Sequence, residues 1–352
     1  MTEATIQSDS SDMPVFPSLA RQILNVLLYT IRLLSGSYGM SVTGLILLRL
    51  ILGADNWDVI ALFNALLHML ILPALILFPI FLMWRKWVVV ILLIAPVFMF
   101  STIYAPRFFN TAPTLPDDVQ TFTILSHNLR SESQDTTIII DAILDADADF
   151  VALQEVSLVM AEQIEADLQD EYPYQSLHPL DNPIVGQAFL SRYPILESDS
   201  WREVNHHQRY LVEVDNSQFV IYNVHMAFPL FDRFDSRRAD VDSVLMRTSA
   251  ETHPVIIVGD FNLTDLSAEY MDITNRYTDS FLEAGHGFGF TFAPAKFFTS
   301  RETILQYLPL IPLLRIDYVF HDDNFTAFTA DVLSDDGVSD HRRYRVTLGI
   351  TQ

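Results

Sequence analysis

The chain has 352 residues, half of them apolar, no cysteine, and 21 Lys+Arg against 44 Asp+Glu, a formal net charge of −23. That charge excludes a general polyanion binder, which needs a basic surface. The missing cysteines exclude disulfide staples, thiolate metal sites and a cysteine nucleophile, and the apolar content excludes wholesale disorder.

Residues 1–18, opening MTEATIQSDSSDMP, are acidic and polar and read as a disordered tail, not a signal peptide. Residues 59–83 and 87–105 then carry no charge at all. Each is long enough to span a bilayer core, which takes about 20 apolar helical residues. A third candidate span, 33–53, contains Arg49 near its end, where the side chain can snorkel to the headgroups. Residues 20–34 read as an interfacial helix or as part of a longer first span. A soluble core helix of such length would show a charged face, and the second and third runs show none. Residues 19–106 are therefore read as a membrane region of about three helices.

Arg85 and Lys86 lie between the second and third runs, and Arg21 and Arg32 precede the first. The other short loop, 54–58, holds Asp55 and Asp58 and no cation. The excess of cations on the cytoplasmic side places the N-terminus and the Arg85–Lys86 turn inside. Three spans then put everything after about residue 106 outside the cell membrane, with Arg107 as a mild opposing signal.

Residues 107–118 form a Pro-containing linker, and the composition changes at Val119. Residues 119–352 hold 15 Lys+Arg against 37 Asp+Glu, a formal net of −22. Strand-like runs fall at 122–126, 150–154, 187–190, 210–214, 219–224, 255–258, 316–320 and 345–349. Helical periodicity falls at 135–145, 158–170, 236–247 and 267–275. Many strands with few helices predict two packed sheets with helices outside, not a pure parallel wind.

Chemistry-bearing residues cluster at the ends of those strands. They are Ser126-His127-Asn128, Gln154-Glu155, Tyr222-Asn223-Val224-His225, Gly259-Asp260-Phe261-Asn262, Arg315-Ile316-Asp317 and Ser339-Asp340-His341. Singly, each reads as a turn or a cap. Together they are carboxylate, amide and imidazole donors without thiols, a set that suits Mg²⁺ or Mn²⁺. No HExxH, G-x-S-x-G or Walker loop is present. The inventory points to metal-assisted hydrolysis of a phosphate ester.

The order of these motifs over residues 121–349 resembles the endonuclease/exonuclease/phosphatase superfamily, of the DNase I-like fold. The resemblance implies a four-layer α/β sandwich, two mixed sheets flanked by helices, standing behind the membrane region. It implies Glu155 as the principal metal carboxylate, with Asn128 beside it and Asp340 as a further metal-side or site-ordering group. It implies Asp260 as the residue that orients or deprotonates water, and Asn262 and His225 as donors to the phosphate. His341 resembles the catalytic imidazole and Asp317 the carboxylate that holds its tautomer. Whether Asp260 or His341 takes the proton stays open at this level. His127 departs from the family pattern, as does Arg342-Arg343-Tyr344 after the last motif.

Arg342 and Arg343 are read either as a phosphate clamp or as ion-pair partners of acidic residues such as Asp335 and Asp336. The apolar stretch 297–314 is read either as a lip touching the bilayer or as a packed loop. Substrate readings are a phospholipid or small phosphodiester, or a phosphomonoester; extended nucleic acid is disfavoured by repulsion. The alternatives are a nuclease on extracytoplasmic DNA or RNA, and a binding module that keeps the fold without turnover. From the topology, an alkaline phosphatase fused after Gln352 is expected to be active in cells; an inactive fusion would reverse the orientation.

Overall fold

The computed structural model describes residues 19–53, 58–116, 119–130, 135–180, 182–228, 234–294, 311–334 and 337–351. The acidic opening segment, most of the 54–58 loop, Asp335–Asp336 and most of the 297–314 stretch lie outside them.

Three helices come first: α1 (Leu19–Leu52), α2 (Asp58–Met83) and α3 (Trp87–Ile103). α1 is one unbroken helix of 34 residues, so the run before residue 33 belongs to a longer first helix. At 1.5 Å per residue α1 is about 51 Å long, well beyond a hydrocarbon core of about 30 Å. α1 and α2 are long and apolar enough to cross a membrane, whereas α3, with 17 residues, is a turn short of the usual span.

Arg49 does not snorkel. Its Nε donates to Asn64 Oδ1 at 2.8 Å and its guanidinium reaches the Leu266 carbonyl at 3.4 Å. A charge near a helix end is thus used to tie α1 and α2 to the rest of the molecule. Leu266 joins Val42, Ile46, Phe63, Leu67 and Met99 in one apolar cluster. The start of the linker is pinned as well: Arg107 pairs with Asp265 at 2.5 Å, both largely buried.

The remainder builds two six-stranded mixed sheets. The first contains β1 (Thr121–Asn128), β2 (Phe150–Gln154), β3 (Tyr174–His178), β4 (Gln187–Ser191), β11 (Phe325–Val332) and β12 (Tyr344–Ile350). Its order is β11-β12-β1-β2-β4-β3. The second contains β5 (Ile195–Arg202), β6 (His206–Val214), β7 (Ser217–His225), β8 (Val255–Asp260), β9 (Thr278–Asp279) and β10 (Asp317–His321). Its order is β5-β6-β7-β8-β10-β9.

Both sheets share one plan. Each centres on a parallel pair, β1–β2 or β7–β8, with an antiparallel strand on either side. A parallel pair requires a crossover, here α4 (Thr136–Ala146) between β1 and β2 and α6 (Phe234–Thr248) between β7 and β8. α5 (Leu158–Leu168) and α7 (Ala268–Thr274) start at the side-chain caps Ser157 and Ser267, each accepting from the amide three residues on.

Strand alternation divides the apolar residues among three interfaces. Phe122, Ile124, Phe150, Phe219, Ile221 and Val258 meet between the sheets. Leu125, Val151 and Leu153 face Ile139, Ile143 and Ile164 of the helices. Val220, Tyr222 and Ile257 face Val241, Val244 and Tyr270 on the other side. The result is the four-layer α/β sandwich.

One glycine is structurally required where β8 ends. Gly259 has φ +144°, and a Cβ there would lie 1.9 Å from the Val224 carbonyl oxygen. Only hydrogen leaves room for β7 and β8 to pair beside Asp260. Gly259→Ala is expected to cost at least about 3 kcal/mol. Chemical denaturation of the detergent-solubilised protein measures it, and a loss below about 1 kcal/mol would contradict the steric argument.

Candidate active site

The register of the strands assembles the site. Asn128 ends β1 opposite Gln154 of β2, and His225 ends β7 opposite Asp260 of β8. Asp317, the first residue of β10, lies opposite Asp260 on its other side. The carboxyl ends of both parallel pairs therefore converge at one edge of the sandwich, where open α/β sheets place their ligands. His225, Asp260 and Asp317 form a row across the second sheet, and Asn128 reaches over from the first.

Asp260 is the centre, with 1% of its surface exposed. Its Oδ1 accepts from the Asn262 amide at 2.9 Å. Its Oδ2 accepts from Asn128 Nδ2 at 3.0 Å and Asn262 Nδ2 at 3.3 Å. The same oxygen lies 3.6 Å from His225 Nε2 and 3.8 Å from His341 Nε2. Asn128 Nδ2 also donates to Glu155 Oε1 at 3.1 Å, which brings the second motif into the group. Two residues here have left-handed backbone, Glu155 at φ 59° and Asn262 at φ 50°. Asparagine tolerates that region, but glutamate pays strain for it, and such strain concentrates at functional sites.

His341 Nδ1 lies 2.9 Å from Asp317 Oδ2. The carboxylate accepts from that nitrogen and leaves Nε2 facing Asp260. Burial pushes the imidazole towards neutrality, but Asp317 and Asp260 outweigh it and hold His341 up at about 10. Burial, reinforced by Asp317 and opposed by His341, lifts Asp260 to about 6. Burial raises Asp340 too; His341 and Arg130 oppose that rise and Glu155 adds to it.

Several positioning contacts had no strong local signal. Ser339 Oγ donates to the Asn128 carbonyl at 2.6 Å and accepts from the His341 amide at 3.0 Å, fastening the loop before β12 to the end of β1. Arg237, in α6, donates to the Asn262 carbonyl at 2.9 Å and pairs with Glu269 at 3.0 Å. Asp240 accepts from the amides of Val204, Asn205 and Ala227 and lies 3.3 Å from His207 Nε2, fixing the loop after His225. Beneath the site Gln154 donates to Asn223 Oδ1 at 2.8 Å, and Asn223 donates to Gln208 at 2.9 Å. Arg315 does not face the site. It pairs with Asp279 at 2.7 Å and lies 3.6 Å from Asp265, the partner of Arg107.

Arg343 is no phosphate clamp: it is buried and donates to the Ala142 carbonyl, with Asp145 at 3.4 Å. The ion-pair reading holds for it through α4; the two aspartates named from sequence lie outside the described residues. Arg342 donates its backbone amide to Thr291 at 2.7 Å. His127 alternates away from Asn128 along β1 and is buried on the face that carries Leu125 and Leu129.

A divalent cation fits this donor set. One oxygen or nitrogen each from Asp260, Asp317 and His341 lies within 4.8 Å of the others, though His341, protonated between its carboxylates, is a donor there and not a ligand. Glu155 and Asp340 add a second, carboxylate pole that calls for a positive charge, beside Asn128, whose Nδ2 faces Glu155 and whose Oδ1 accepts from the Arg130 amide.

The raised imidazole has a pH signature. A group whose folded pKa lies above its unfolded value near 6.5 stabilises the protein fully below that value. Its contribution disappears as pH rises through about 10. In EDTA, the wild type is expected to lose stability from pH 6.5 to 10 relative to His341→Gln; parallel thermal-midpoint curves would refute the charged pair.

No curated protein matches the chain in sequence. Among solved structures it is similar to the endonuclease/exonuclease/phosphatase from Bacteroides vulgatus, at 18% identity and TM-score 0.53, covering 66% of this chain and 100% of that one. It is similar to humanized D. rerio TDP2, at 17% identity and TM-score 0.54, covering 65% and 98%. It is also similar to the human Nocturnin catalytic domain with bound sulfate anion, at 16% identity and TM-score 0.52, covering 68% and 100%. Likeness at these identities establishes the fold. The profile of the Endonuclease/Exonuclease/phosphatase family matches residues 125–341, which contain all eight site residues named from sequence, and the chain belongs to that family.

Proposed function

We infer that the protein is a membrane-anchored, divalent-cation-dependent phosphoesterase, with residues 19–106 as anchor, 107–118 as linker and 119–352 as the hydrolytic domain. The observation that carries this reading is the single oxygen of Asp260, which lies within 4 Å of donors from Asn128, Asn262, His225 and His341. These donors come from both sheets and include two imidazoles, a set suited to proton transfer.

Each residue has a role that follows from its chemistry. Asp260, lifted to about 6, is a base matched to near-neutral pH and orients or deprotonates the attacking water. His341, held cationic by Asp317, donates from Nε2 to a phosphoryl oxygen as charge develops. Asn262 and His225 supply further donors. Glu155, Asn128 and Asp340 would hold Mg²⁺ or Mn²⁺. That ion would offset phosphoryl charge when bound.

Two features favour a lipid-borne or small substrate. The −22 charge repels a long polyanion. The site also adjoins the anchor. Phe292 lies against His341 at 4.9 Å between ring centroids, and two residues earlier Phe290 lies 4.9 Å from His68 of α2. Such contact holds the reacting groups close to the membrane surface, on the outer side by the distribution of cations. A nuclease is the second reading, favoured by the fold's likeness, at 16% identity, to D. rerio TDP2 complexed with single strand DNA product.

Detergent-solubilised protein is expected to release phosphate or headgroup from a phosphodiester panel with Mg²⁺ or Mn²⁺, and to stop in EDTA. His341→Ala and Asp260→Asn should each lower kcat by about 10²–10⁴-fold with the fold retained. Glu155→Gln should raise the metal concentration needed for half-maximal rate. A plasmid-nicking assay alongside separates the nuclease reading. Wild-type rates in either mutant, or turnover indifferent to EDTA, would overturn the assignment.

A further inference from the structure

A second site lies at the opposite end of the helical bundle from the hydrolytic domain. There α1 and the α2–α3 turn enclose a cleft of about 610 Å³. α1 contributes Asn25, Leu28, Tyr29 and Arg32, which share one helical face at spacings of three, four and seven. The other wall is Phe81, Trp84 and Lys86. Arg49, where α1 touches the hydrolytic domain, is 17 residues further on, about 25 Å along the helix.

Among the described residues, the helices around the two cations offer no internal counter-ion. Residues 19–53 and 59–116 contain no Asp or Glu. The contrast is sharp within one chain, because the hydrolytic domain pairs most of its arginines with its own carboxylates. Among the described residues, Arg32 and Lys86 form no salt bridge. Their anion must then come from outside these helices. Tyr29 and Trp84, both substantially exposed, are the amphipathic rings that settle at headgroup level, while Leu28 and Phe81 offer an apolar wall to acyl chain. The volume suits one lipid headgroup.

We propose that this cleft binds the headgroup of an anionic glycerophospholipid, its phosphate between Arg32 and Lys86. The proposal rests on the helices lying in a bilayer and is independent of hydrolysis. It gives the anchor a lipid preference, set at the face away from the active site.

The full chain in neutral detergent is equilibrated with phosphatidylglycerol or with phosphatidylcholine, and retained lipid is counted by native mass spectrometry. Phosphatidylglycerol should be retained and phosphatidylcholine should not. Each cation should contribute about fivefold, so Arg32→Gln with Lys86→Gln should weaken retention about thirtyfold. The charge-preserving pair Arg32→Lys with Lys86→Arg should keep it, and turnover of a soluble phosphodiester should stay unchanged in both pairs. Equal retention of the two lipids, or wild-type retention in the double glutamine variant, would overturn the proposal. Failure of the hydrolase reading would show instead as absent turnover with lipid retention intact.

Discussion

Asp260 is a carboxylate removed almost entirely from water at the point where two sheets meet. An ionised group in such a place is costly unless donors surround it. Here the donors come from four separate segments: the end of β1, the turn after β8, the end of β7, and the loop before β12. Satisfying this one group therefore requires both sheets to be in register with each other. Closing the interior therefore also brings the reacting groups together.

Buried charge also runs between the anchor and the site. Arg107 holds Asp265, Asp265 lies beside Arg315, and Arg315 is held by Asp279. Burial would push Asp265 up, but Arg107 and Arg315 outweigh it and keep it ionised. Arg315 is two residues before Asp317, the partner of His341. The chain thus links the first turn after the three apolar helices to the strand that starts with a site carboxylate. Removing a member would leave its neighbours short of a buried partner, which is more damaging than losing a surface pair.

The eight central strands and four helices were legible because their faces are buried on both sides or one, which imposes clear apolar periods. The strands that sequence reasoning missed, β3, β5, β9 and β11, are the four edge strands of the two sheets. β5 is largely exposed along its length, so no apolar alternation marks it. Edge strands are held by backbone ladders more than by side-chain burial, and ladders leave little trace in composition. Among site residues, Asn128, Glu155, His225, Asp260, Asn262, Asp317, Asp340 and His341 stood out as polar residues ending apolar runs. Arg237 and Asp240 did not, because each lies mid-helix, where a charged residue ordinarily means a solvated face.

What the sequence by itself determined is the division into an apolar part, with carboxylates only at Asp55 and Asp58, and an acidic sandwich, together with the inventory of oxygen and imidazole donors. Those follow from composition and period, which are local. What only the tertiary structure decided is direction: that Arg343 turns to α4, that Arg49 binds across to Leu266, and that Ser339 clasps Asn128 to His341. Side-chain direction depends on which distant groups arrive within about 3 Å, and that is set by strand register, a property of pairs of segments and not of either one.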